Sequence, residues 1–184
     1  MNPEMRAKAS AAITRHLLEC ACFRNADVIG AYLAFNNEVD LQALIERAHA
    51  DQKKVFVPVI TEDRRNMVFA RLRPGAHLQL NHFGIAEPES RNREFLEARE
   101  LHSVFVPVVA FDSSGNRLGM GAGFYDRAFA FRRNQGAARF PKLCGVAFDC
   151  QRVSKIEHKK WDVPLDLIAT ENGVDDVQRK GIEG

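Results

Sequence analysis

The spacing of apolar positions changes along the chain, and this change predicts the order of its helices and strands. Between residues 4 and 20, apolar side chains recur every three to four positions, which indicates an amphipathic helix. Helical spacing returns over 41–51, behind Asp40 as a possible cap, and over 124–133. Short runs rich in β-branched and aromatic residues predict strands. These runs cover residues 27–33, 54–59, 67–72, 101–111, 142–148 and 165–170.

Turn-forming residues divide this pattern. Pro58 marks the expected end of the second strand, because proline cannot donate a hydrogen bond to a sheet. Residues 73–100 contain many turn formers and are expected to be irregular, with some helix in the charged segment that follows the turns. Asp112–Asn116 is a clear turn after the most hydrophobic run. The polar tail from Gly173 is expected to fray.

Strands that alternate with helices predict an α/β fold, namely a single three-layer domain over 1–184 in which helices flank a mostly parallel central sheet. A chain of 184 residues favours one domain, and a hydrophobic fraction of 46% is enough for a sizeable core. Such sheets hold their ligands in loops beyond the carboxyl ends of the strands. The loops after residues 28–33 and 104–110 are therefore the first candidates for a site.

Charge and cysteine spacing exclude several classes of function. Lys and Arg number 26 against 24 Asp and Glu, a net charge of +2, and basic pairs such as Arg64-Arg65 and Arg132-Arg133 are expected on the solvated surface. We therefore expect no nucleic-acid partner. The four cysteines lack the spacing of a structural zinc site and are expected to be reduced. Without a signal peptide or an apolar run of membrane-spanning length, we expect a cytoplasmic protein with no membrane partner.

The segment Arg117–Arg127, RLGMGAGFYDR, carries the strongest chemical signal. Three glycines at alternate positions let backbone N–H groups approach an anion, and the following helix would point its positive end at the same place. Arg117 and Arg127 flank the loop and can complement phosphate charge, while Asp126 can hold magnesium. The spacing matches neither a P-loop nor a complete dinucleotide fingerprint. On the glycines alone, a tight turn without a ligand is an equal alternative.

This segment resembles the signature of 5-formyltetrahydrofolate cyclo-ligase, also called 5,10-methenyltetrahydrofolate synthetase, whose pattern is R-L-G-x-G-x-G-[YF]-Y-D. The run VPVVAFDSSGN at 106–116 resembles the family's lead-in to it. Other segments resemble the family in the same order, so that the resemblance covers about residues 10 to 172. They are Tyr32–Asp40 (YLAFNNEVD), Lys54–Pro58 (KVFVP), Gly84–Pro88 (GIAEP) and Asp162–Glu171 (DVPLDLIATE).

The resemblance implies an ATP- and magnesium-dependent ring closure on a small-molecule substrate, 5-formyltetrahydrofolate. ATP phosphorylates the formyl oxygen, the nitrogen at position 10 attacks the activated carbon, and loss of phosphate leaves 5,10-methenyltetrahydrofolate and ADP. Catalysis would depend on positioning and on stabilising phosphate charge, with no protein nucleophile. A non-catalytic folate-binding relative and a nucleotide-dependent enzyme with a different small-molecule substrate are the alternatives. The oligomeric state is not indicated.

The resemblance also assigns roles to residues. ATP would be bound by Arg117, Leu118, Gly119, Met120, Gly121, Ala122, Gly123, Phe124, Tyr125 and Arg127. The catalytic residues, where the formyl group meets the γ-phosphate, would be Arg117, Met120, Gly121 and Gly123. The folate would be bound by Leu33, Phe35, Glu38, Met120, Gly121, Ala122, Gly123 and Phe124, and magnesium by Asp126 and Asp162.

For two of these residues, the sequence without the resemblance would indicate a different role. Taken alone, Glu38 is typical of a solvated loop acid; with the resemblance, it would accept hydrogen bonds from the amino groups of the pterin. Asp162 alone is typical of a turn residue before Pro164. Family members usually carry a basic, ATP-binding segment before the first long helix. Arg6 and Lys8 receive no such role, since both lie inside the predicted helix.

Overall fold

The fold is described from a computed structural model, which defines the chain over residues 1–89, 94–134 and 140–177. Helices in these residues are α1 (Pro3–Glu19), α2 (Ala21–Arg24), α3 (Gln42–Ala50) and α4 (Phe124–Ala128). Strands are β1 (Val28–Gly30), β2 (Lys54–Ile60), β3 (Met67–Leu72), β4 (Leu78–Leu80), β5 (Ala86–Pro88), β6 (Phe95–Leu96), β7 (Ser103–Pro107), β8 (Ala110–Phe111), β9 (Arg117–Leu118), β10 (Lys142–Val146), β11 (Leu167–Thr170) and β12 (Gly173–Asp176). Short 3₁₀ helices cover Ala98–Glu100, Ala130–Asn134 and Asp149–Gln151.

A sheet of eight strands runs through the described part of the chain in the order β12-β11-β10-β7-β1-β2-β3-β6. The neighbours β11, β10, β7, β1 and β2 are all parallel. Antiparallel strands extend both edges, with β12 beside β11 and the pair β3 and β6 beyond β2. The predicted α/β architecture with a mostly parallel sheet is confirmed.

Alternate residues of the strands point to two separate cores, one on each face of the sheet. One core packs α1, α2 and α3 through residues such as Leu17, Phe23 and Leu44. The other packs α4 and the 3₁₀ helix that follows it, through Phe129 and Phe131. Each fully buried aliphatic or aromatic side chain in these layers contributes about 1.5–3 kcal/mol to folding. Helices therefore cover both faces, while the extent of the domain over 1–184 stays a prediction.

Several predicted elements have the predicted bounds, and others differ for physical reasons. The first helix and the strand at 67–72 agree with the structure. Pro58 lies inside β2 rather than at its end, because pairing with β1 stops at Phe56 and leaves β2 bordered there only by β3. Asp40 lies one residue before the cap position of α3, yet its Oδ1 accepts the Gln42 N–H at 2.9 Å.

Three further expectations need correction. The run 101–111 forms two strands, β7 and β8, because the chain leaves the main sheet after Pro107 to make a separate hairpin with β9. The expected helix over 124–133 continues beyond α4 only as a 3₁₀ helix. The tail from Gly173 does not fray at once, since β12 pairs along the whole of β11.

The region between 73 and 100 also has more strand than expected. Strands β4 and β5 form a hairpin, and β6 joins the edge of the main sheet. Part of the charged segment, residues 90–93, lies outside the described residues. None of the described helices has the length and hydropathy required to cross a membrane.

The topology brings three connections to the ligand-binding edge of the sheet, which here means the side where the carboxyl ends of the parallel strands lie. Because β1, β2 and β7 are parallel neighbours, the loop 31–41, the turn 61–66 and the segment after β7 all leave from their carboxyl ends. Ligands of parallel α/β sheets bind at this edge. The candidate site is built from these connections.

Candidate active site

A buried aspartate fixes the turn that leads into the glycine-rich segment. The Asp112 carboxylate, in a residue only 2% exposed, accepts hydrogen bonds from the Ser114, Asn116 and Ile156 N–H groups and from Asn116 Nδ2, at 2.8–3.1 Å. Burial alone would raise the pKa of Asp112, but these hydrogen bonds outweigh it and lower the pKa. The turn is thereby tied to a segment 44 residues away, and the β8–β9 hairpin is held in place.

The glycine loop, residues 119–123, is open to an approaching ligand. Gly121 and Gly123 have φ values of +89° and +66°, which residues with a Cβ rarely adopt. A Cβ placed on Gly119 or Gly121 would meet no heavy atom within 4 Å, so the backbone is uncovered there. Met120 is 67% exposed. The loop therefore presents peptide groups to solvent, as an anion site requires.

The Arg117 guanidinium joins strand β9, helix α4 and the segment that carries Asp162. Its side chain is 7% exposed, and Nη2 donates to Asp126 Oδ1 at 2.8 Å while Nη1 donates to the Val163 carbonyl oxygen. The Val163 N–H donates to the same Asp126 oxygen at 3.0 Å. Arg117 is thus a fixed positive charge at the base of the glycine loop, neutralised by one carboxylate.

The two predicted magnesium ligands lie on adjoining segments. Through its bond from Val163 N–H, the Asp126 carboxylate lies beside the peptide group that follows Asp162. Asp162 Oδ2 accepts the Lys159 N–H at 2.8 Å. Asp126 Oδ2 and Asp162 Oδ1 make no hydrogen bond with any described residue. Because no group of three or more His, Cys, Asp or Glu side chains is arranged for a metal in the described chain, a magnesium ion here would complete its shell with phosphate and water oxygens.

Arg127 closes the other end of the loop. Its Nη1 donates to the Ala122 carbonyl at 2.8 Å, its Nε donates to the Arg65 carbonyl at 2.8 Å, and its guanidinium lies 5.0 Å from the Phe124 ring centroid. A Cβ on Gly123 would stand 3.0 Å from Nη1. Arg127 therefore links the glycine loop to the turn between β2 and β3, and Nη2 is the part of it that makes no hydrogen bond with described residues.

The loop after β1 carries a half-buried carboxylate, that of Glu38. Glu38 Oε2 accepts the Phe35 N–H at 2.8 Å, and burial raises the pKa of Glu38 despite this hydrogen bond. The pKa of Tyr125 is also raised, first by burial and then by the negative charge of Glu38, while Arg117 acts in the opposite direction. Glu38 and Tyr125 are therefore within electrostatic range of each other. Phe35 in turn lies beside Gly84 of the β4–β5 hairpin, whose added Cβ would be 3.7 Å from Phe35 Cε2.

The predicted site residues fall into three groups in the structure. Arg117, Asp126 and the Asp162 segment are joined by hydrogen bonds, and Tyr125 precedes Asp126 in α4. Glu38 and Phe35 are joined to each other in the loop after β1. Leu33 is half-buried and packs against the core beneath α1 and α3. The exposed surface of the loop is formed by Leu118, Gly119, Met120, Gly121 and Ala122, while Gly123 and Phe124 are partly buried.

Two supporting groups were not found from the sequence. Arg132 was expected on the surface, but its side chain is fully buried and pairs with Asp166 at 2.5 Å, which corrects that expectation. Asp166 Oδ2 also accepts the Leu143 N–H at 2.8 Å, so the pair anchors the segment behind Asp162 to β10. The other feature that the sequence did not predict is the hydrogen bond from Arg127 to the Arg65 carbonyl. Arg65 and Arg132 each belong to a pair of adjacent arginines, Arg64-Arg65 and Arg132-Arg133, and no signal in the sequence distinguishes either pair from solvated surface.

This fold and site define an α/β protein with an open glycine loop beyond a central parallel strand and carboxylates on both sides of it. The sequence model of the 5-formyltetrahydrofolate cyclo-ligase family matches residues 1–171. The chain belongs to that family. The 5-formyltetrahydrofolate cyclo-ligase of Haemophilus influenzae is 36% identical over 159 residues, covering 86% of this chain and 83% of the relative. That of Escherichia coli K12 is 35% identical over 150 residues, covering 81% and 80%.

Solved structures agree with this assignment. The NMR structure of Aquifex aeolicus 5,10-methenyltetrahydrofolate synthetase superposes with a TM-score of 0.80 at 28% identity, covering all of this chain and 88% of that one. The synthetase from Mycoplasma pneumoniae has a TM-score of 0.72 at 20% identity, and it supports the fold alone.

Proposed function

We propose that this chain converts 5-formyltetrahydrofolate to 5,10-methenyltetrahydrofolate with consumption of ATP and release of ADP and phosphate. Family membership supports the reaction. The observation that carries it is that an open glycine loop and a half-buried carboxylate, Glu38, lie at the same edge of the sheet, where the negative charge of Glu38 helps to raise the pKa of Tyr125. In this proposal the glycine loop is the phosphate site and the loop after β1 is the site for the polar ring, side by side as phosphorylation of a bound folate requires.

ATP phosphates would lie against the segment Arg117–Tyr125, with Arg127 at its end. The backbone at Gly119 and Gly121 is exposed, and we propose that its peptide N–H groups donate to phosphate oxygens. Arg117 is held on two sides, so its charge needs no reorganisation as negative charge moves during transfer. Arg117, Met120, Gly121 and Gly123 are the residues we propose at the point of reaction.

The folate would lie between the loop after β1 and the glycine loop. Glu38 Oε1, which makes no hydrogen bond with the described residues, is the atom that we propose accepts the amino groups of the pterin. Phe35 would offer an apolar ring beside it, Leu33 supports the loop from the core, and Met120–Phe124 would lie on the other side of the folate.

Magnesium fits the two carboxylates that we propose for it, Asp126 and Asp162. Each keeps one oxygen without a described partner, and magnesium prefers one or two carboxylates together with phosphate and water oxygens. When bound, the ion would neutralise phosphate charge. The protein's own part is to hold Asp126 through Arg117 and Val163, so that its second oxygen keeps a fixed place.

The chemistry needs positioning more than it needs a protein nucleophile. The formyl oxygen attacks the γ-phosphorus and ADP leaves. The nitrogen at position 10 then attacks the activated carbon and loses its proton to solvent, and the C–O bond breaks with release of phosphate. Phosphate is a better leaving group than the amide oxygen, so ATP supplies the driving force. The side chains described here bind, orient and stabilise charge.

The test follows the absorbance of methenyltetrahydrofolate with 5-formyltetrahydrofolate, ATP and magnesium present, and then with each one withheld. We expect a signal that requires all three and that is lost in Asp126→Ala. Folate binding without product would indicate a non-catalytic relative. ATP hydrolysis that 5-formyltetrahydrofolate does not stimulate would indicate a different substrate. A cytoplasmic location stays a prediction.

A further inference from the structure

The turn between β2 and β3, residues 61–66, lies directly against the glycine loop. One guanidinium bridges the two, because Arg127 donates from Nε to the Arg65 carbonyl and from Nη1 to the Ala122 carbonyl, both at 2.8 Å. Two carbonyl groups from segments more than 50 residues apart are therefore separated by no more than the width of a guanidinium and two hydrogen bonds. The turn also leaves from the carboxyl end of β2, at the ligand-binding edge of the sheet.

This turn has a defined conformation. The Thr61 N–H donates to the Asn66 carbonyl at 3.0 Å, the Arg64 N–H donates to the Thr61 carbonyl at 2.8 Å, and the Arg65 N–H donates to Asp63 Oδ1 at 3.0 Å. Asp63 also accepts from the Thr61 hydroxyl, and this bond together with the Arg65 N–H lowers the pKa of Asp63. The positive charge of Arg65 also lowers the pKa of Asp63, by less than the hydroxyl and N–H bonds do.

Two arginines project from this turn into solvent. Arg64 and Arg65 are exposed, and neither guanidinium makes a hydrogen bond or ion pair with a described residue. The arginines of the glycine loop are differently placed. Arg117 is paired with Asp126, and Arg127 uses two of its three nitrogens on carbonyl groups. Arg127 pairs with no described carboxylate either, but its two carbonyl contacts hold it in place, so Arg64 and Arg65 of the turn are the arginines whose guanidinium groups stay uncommitted; Glu62 and Asp63 are the exposed acids beside them.

We infer that Arg64 and Arg65 bind the polyphosphate of the nucleotide at the glycine loop, and that Arg127 is the positioning residue that holds their turn in place. A triphosphate carries several negative charges, and guanidinium groups are well suited to its oxygens. The nucleotide is the expected ligand rather than the folate tail, because the turn is tied to Ala122 of the glycine loop. This inference rests on the proposed function.

The first test compares steady-state kinetics of the wild type with Arg64→Ala/Arg65→Ala. We expect the KM for ATP to rise about tenfold, with kcat within about twofold and the KM for 5-formyltetrahydrofolate unchanged. Arg64→Lys/Arg65→Lys should recover much of the loss, and added salt should narrow the difference from the wild type. An unchanged KM for ATP, or a rise in the KM for the folate instead, would overturn the inference.

A matched control removes the same charge elsewhere. Arg15 on α1 and Arg24 on α2 are exposed and belong to the helices on the other face of the sheet. Arg15→Ala/Arg24→Ala should leave the KM for ATP unchanged. An equal rise in this control would show a general effect of net charge and would also overturn the inference.

A double-mutant cycle tests the positioning role. If Arg127 acts through the turn, Arg127→Ala should raise the KM for ATP less in the Arg64→Ala/Arg65→Ala background than in the wild type. Independent, additive effects would contradict that role. Should the wild type form no methenyl product, the proposed function fails, and calorimetric binding of magnesium-ATP then decides the inference: weaker binding in Arg64→Ala/Arg65→Ala supports it, and equal binding overturns it.

Discussion

The glycine loop and the loop after β1 lie at the same edge of the sheet, but different kinds of contact stabilise them. Around the glycine loop, hydrogen bonds join residues far apart in sequence: Arg117 with Val163, Arg127 with Arg65, and Asp112 with Ile156. In the loop after β1, long-range bonds hold only the two ends, from the Ala31 N–H to the Phe56 carbonyl and from the Asp40 N–H to the Ser10 hydroxyl. Between these ends the bonds that shape the chain are local, from the Phe35 N–H to Glu38 and from the Tyr32 hydroxyl to the Val39 carbonyl.

This difference separates stability from binding. A side chain at the base of the glycine loop holds several elements together, so its loss should lower both the free energy of unfolding and the rate of reaction. Glu38 holds only its own loop, so its loss should weaken binding of the folate with little change in stability. Substitutions in the two regions test this contrast.

The largest effect is expected for Arg117→Ala. The variant leaves Asp126 partly buried without its cation and frees the Val163 carbonyl, which should lower the free energy of unfolding by about 3 kcal/mol. Activity should fall by at least about 100-fold, since a fixed charge beside the transferred phosphate is lost. Denaturant unfolding and the methenyl absorbance assay measure the two quantities.

Arg117→Lys is the control for this prediction. Lysine keeps the charge but cannot donate to Asp126 and Val163 in the same two-pronged way, so an intermediate loss of stability is expected. If Arg117→Ala unfolds within about 1 kcal/mol of the wild type, the ionic contact does not hold these elements together. The contrast between the two loops would then fail at its strongest point.

Asp112→Ala should have the next largest effect on stability. It removes the acceptor of four hydrogen bonds, and we expect a loss of about 2 kcal/mol with a smaller fall in kcat, because Asp112 supports the β8–β9 hairpin without reaching the ligands. Thermal unfolding and kcat measure these effects. A loss of kcat as large as that of Arg117→Ala would contradict a purely supporting role.

The acid dependence of stability gives a second measure of Asp112. Its pKa is lowered in the folded state, so its contribution is complete above the unfolded pKa of about 3.9 and is lost as the pH falls through the lower folded pKa. The stability difference between wild type and Asp112→Asn should therefore narrow below about pH 4. A difference that stays constant down to acid denaturation would contradict this interpretation.

Glu38→Gln tests the other loop. We expect the KM for 5-formyltetrahydrofolate to rise about tenfold, while the KM for ATP and the free energy of unfolding change little. Binding requires the ionised carboxylate, and burial raises its pKa. The affinity of the wild type for the folate should therefore weaken as the pH falls through that raised pKa. The affinity of Glu38→Gln should not show this pH dependence.

The contribution of Glu38 to stability should depend on pH in the opposite direction from that of Asp112. A raised folded pKa means that the group's contribution is present below its unfolded value of about 4.3 and is lost as the pH rises through the folded pKa. At neutral pH, Glu38→Gln should leave the free energy of unfolding of the ligand-free protein equal to or slightly above that of the wild type. A clear loss of stability in that variant would show that Glu38 holds more than its own loop.

The same contrast explains how much could be predicted from sequence. The local features, such as the turn at Asp112–Asn116, the glycine loop and most strands, depend on neighbouring residues and were predicted. The burial of Arg132 against Asp166, the Arg127 bridge to Arg65 and the pairing of β12 with β11 were not. Each depends on two segments meeting in three dimensions, and neither segment alone has a composition that distinguishes it from solvated surface or tail.

The last substitutions lie in the glycine loop itself, where Gly119 and Gly121 form a matched pair. Gly121 has a φ of +89° and Gly119 lies outside the left-handed region, yet an added Cβ would meet no heavy atom within 4 Å at either position. Gly121→Ala should therefore lower the free energy of unfolding by about 1 kcal/mol through backbone strain, and Gly119→Ala should change it by less than about 0.5 kcal/mol. If the uncovered peptide groups bind phosphate, both alanines should raise the KM for ATP, because a methyl group then stands between the backbone and the ligand. The alternative is that the KM for ATP follows stability alone. If it rises in Gly121→Ala, which loses stability, but not in Gly119→Ala, the loop serves as a turn and the nucleotide binds elsewhere on this edge.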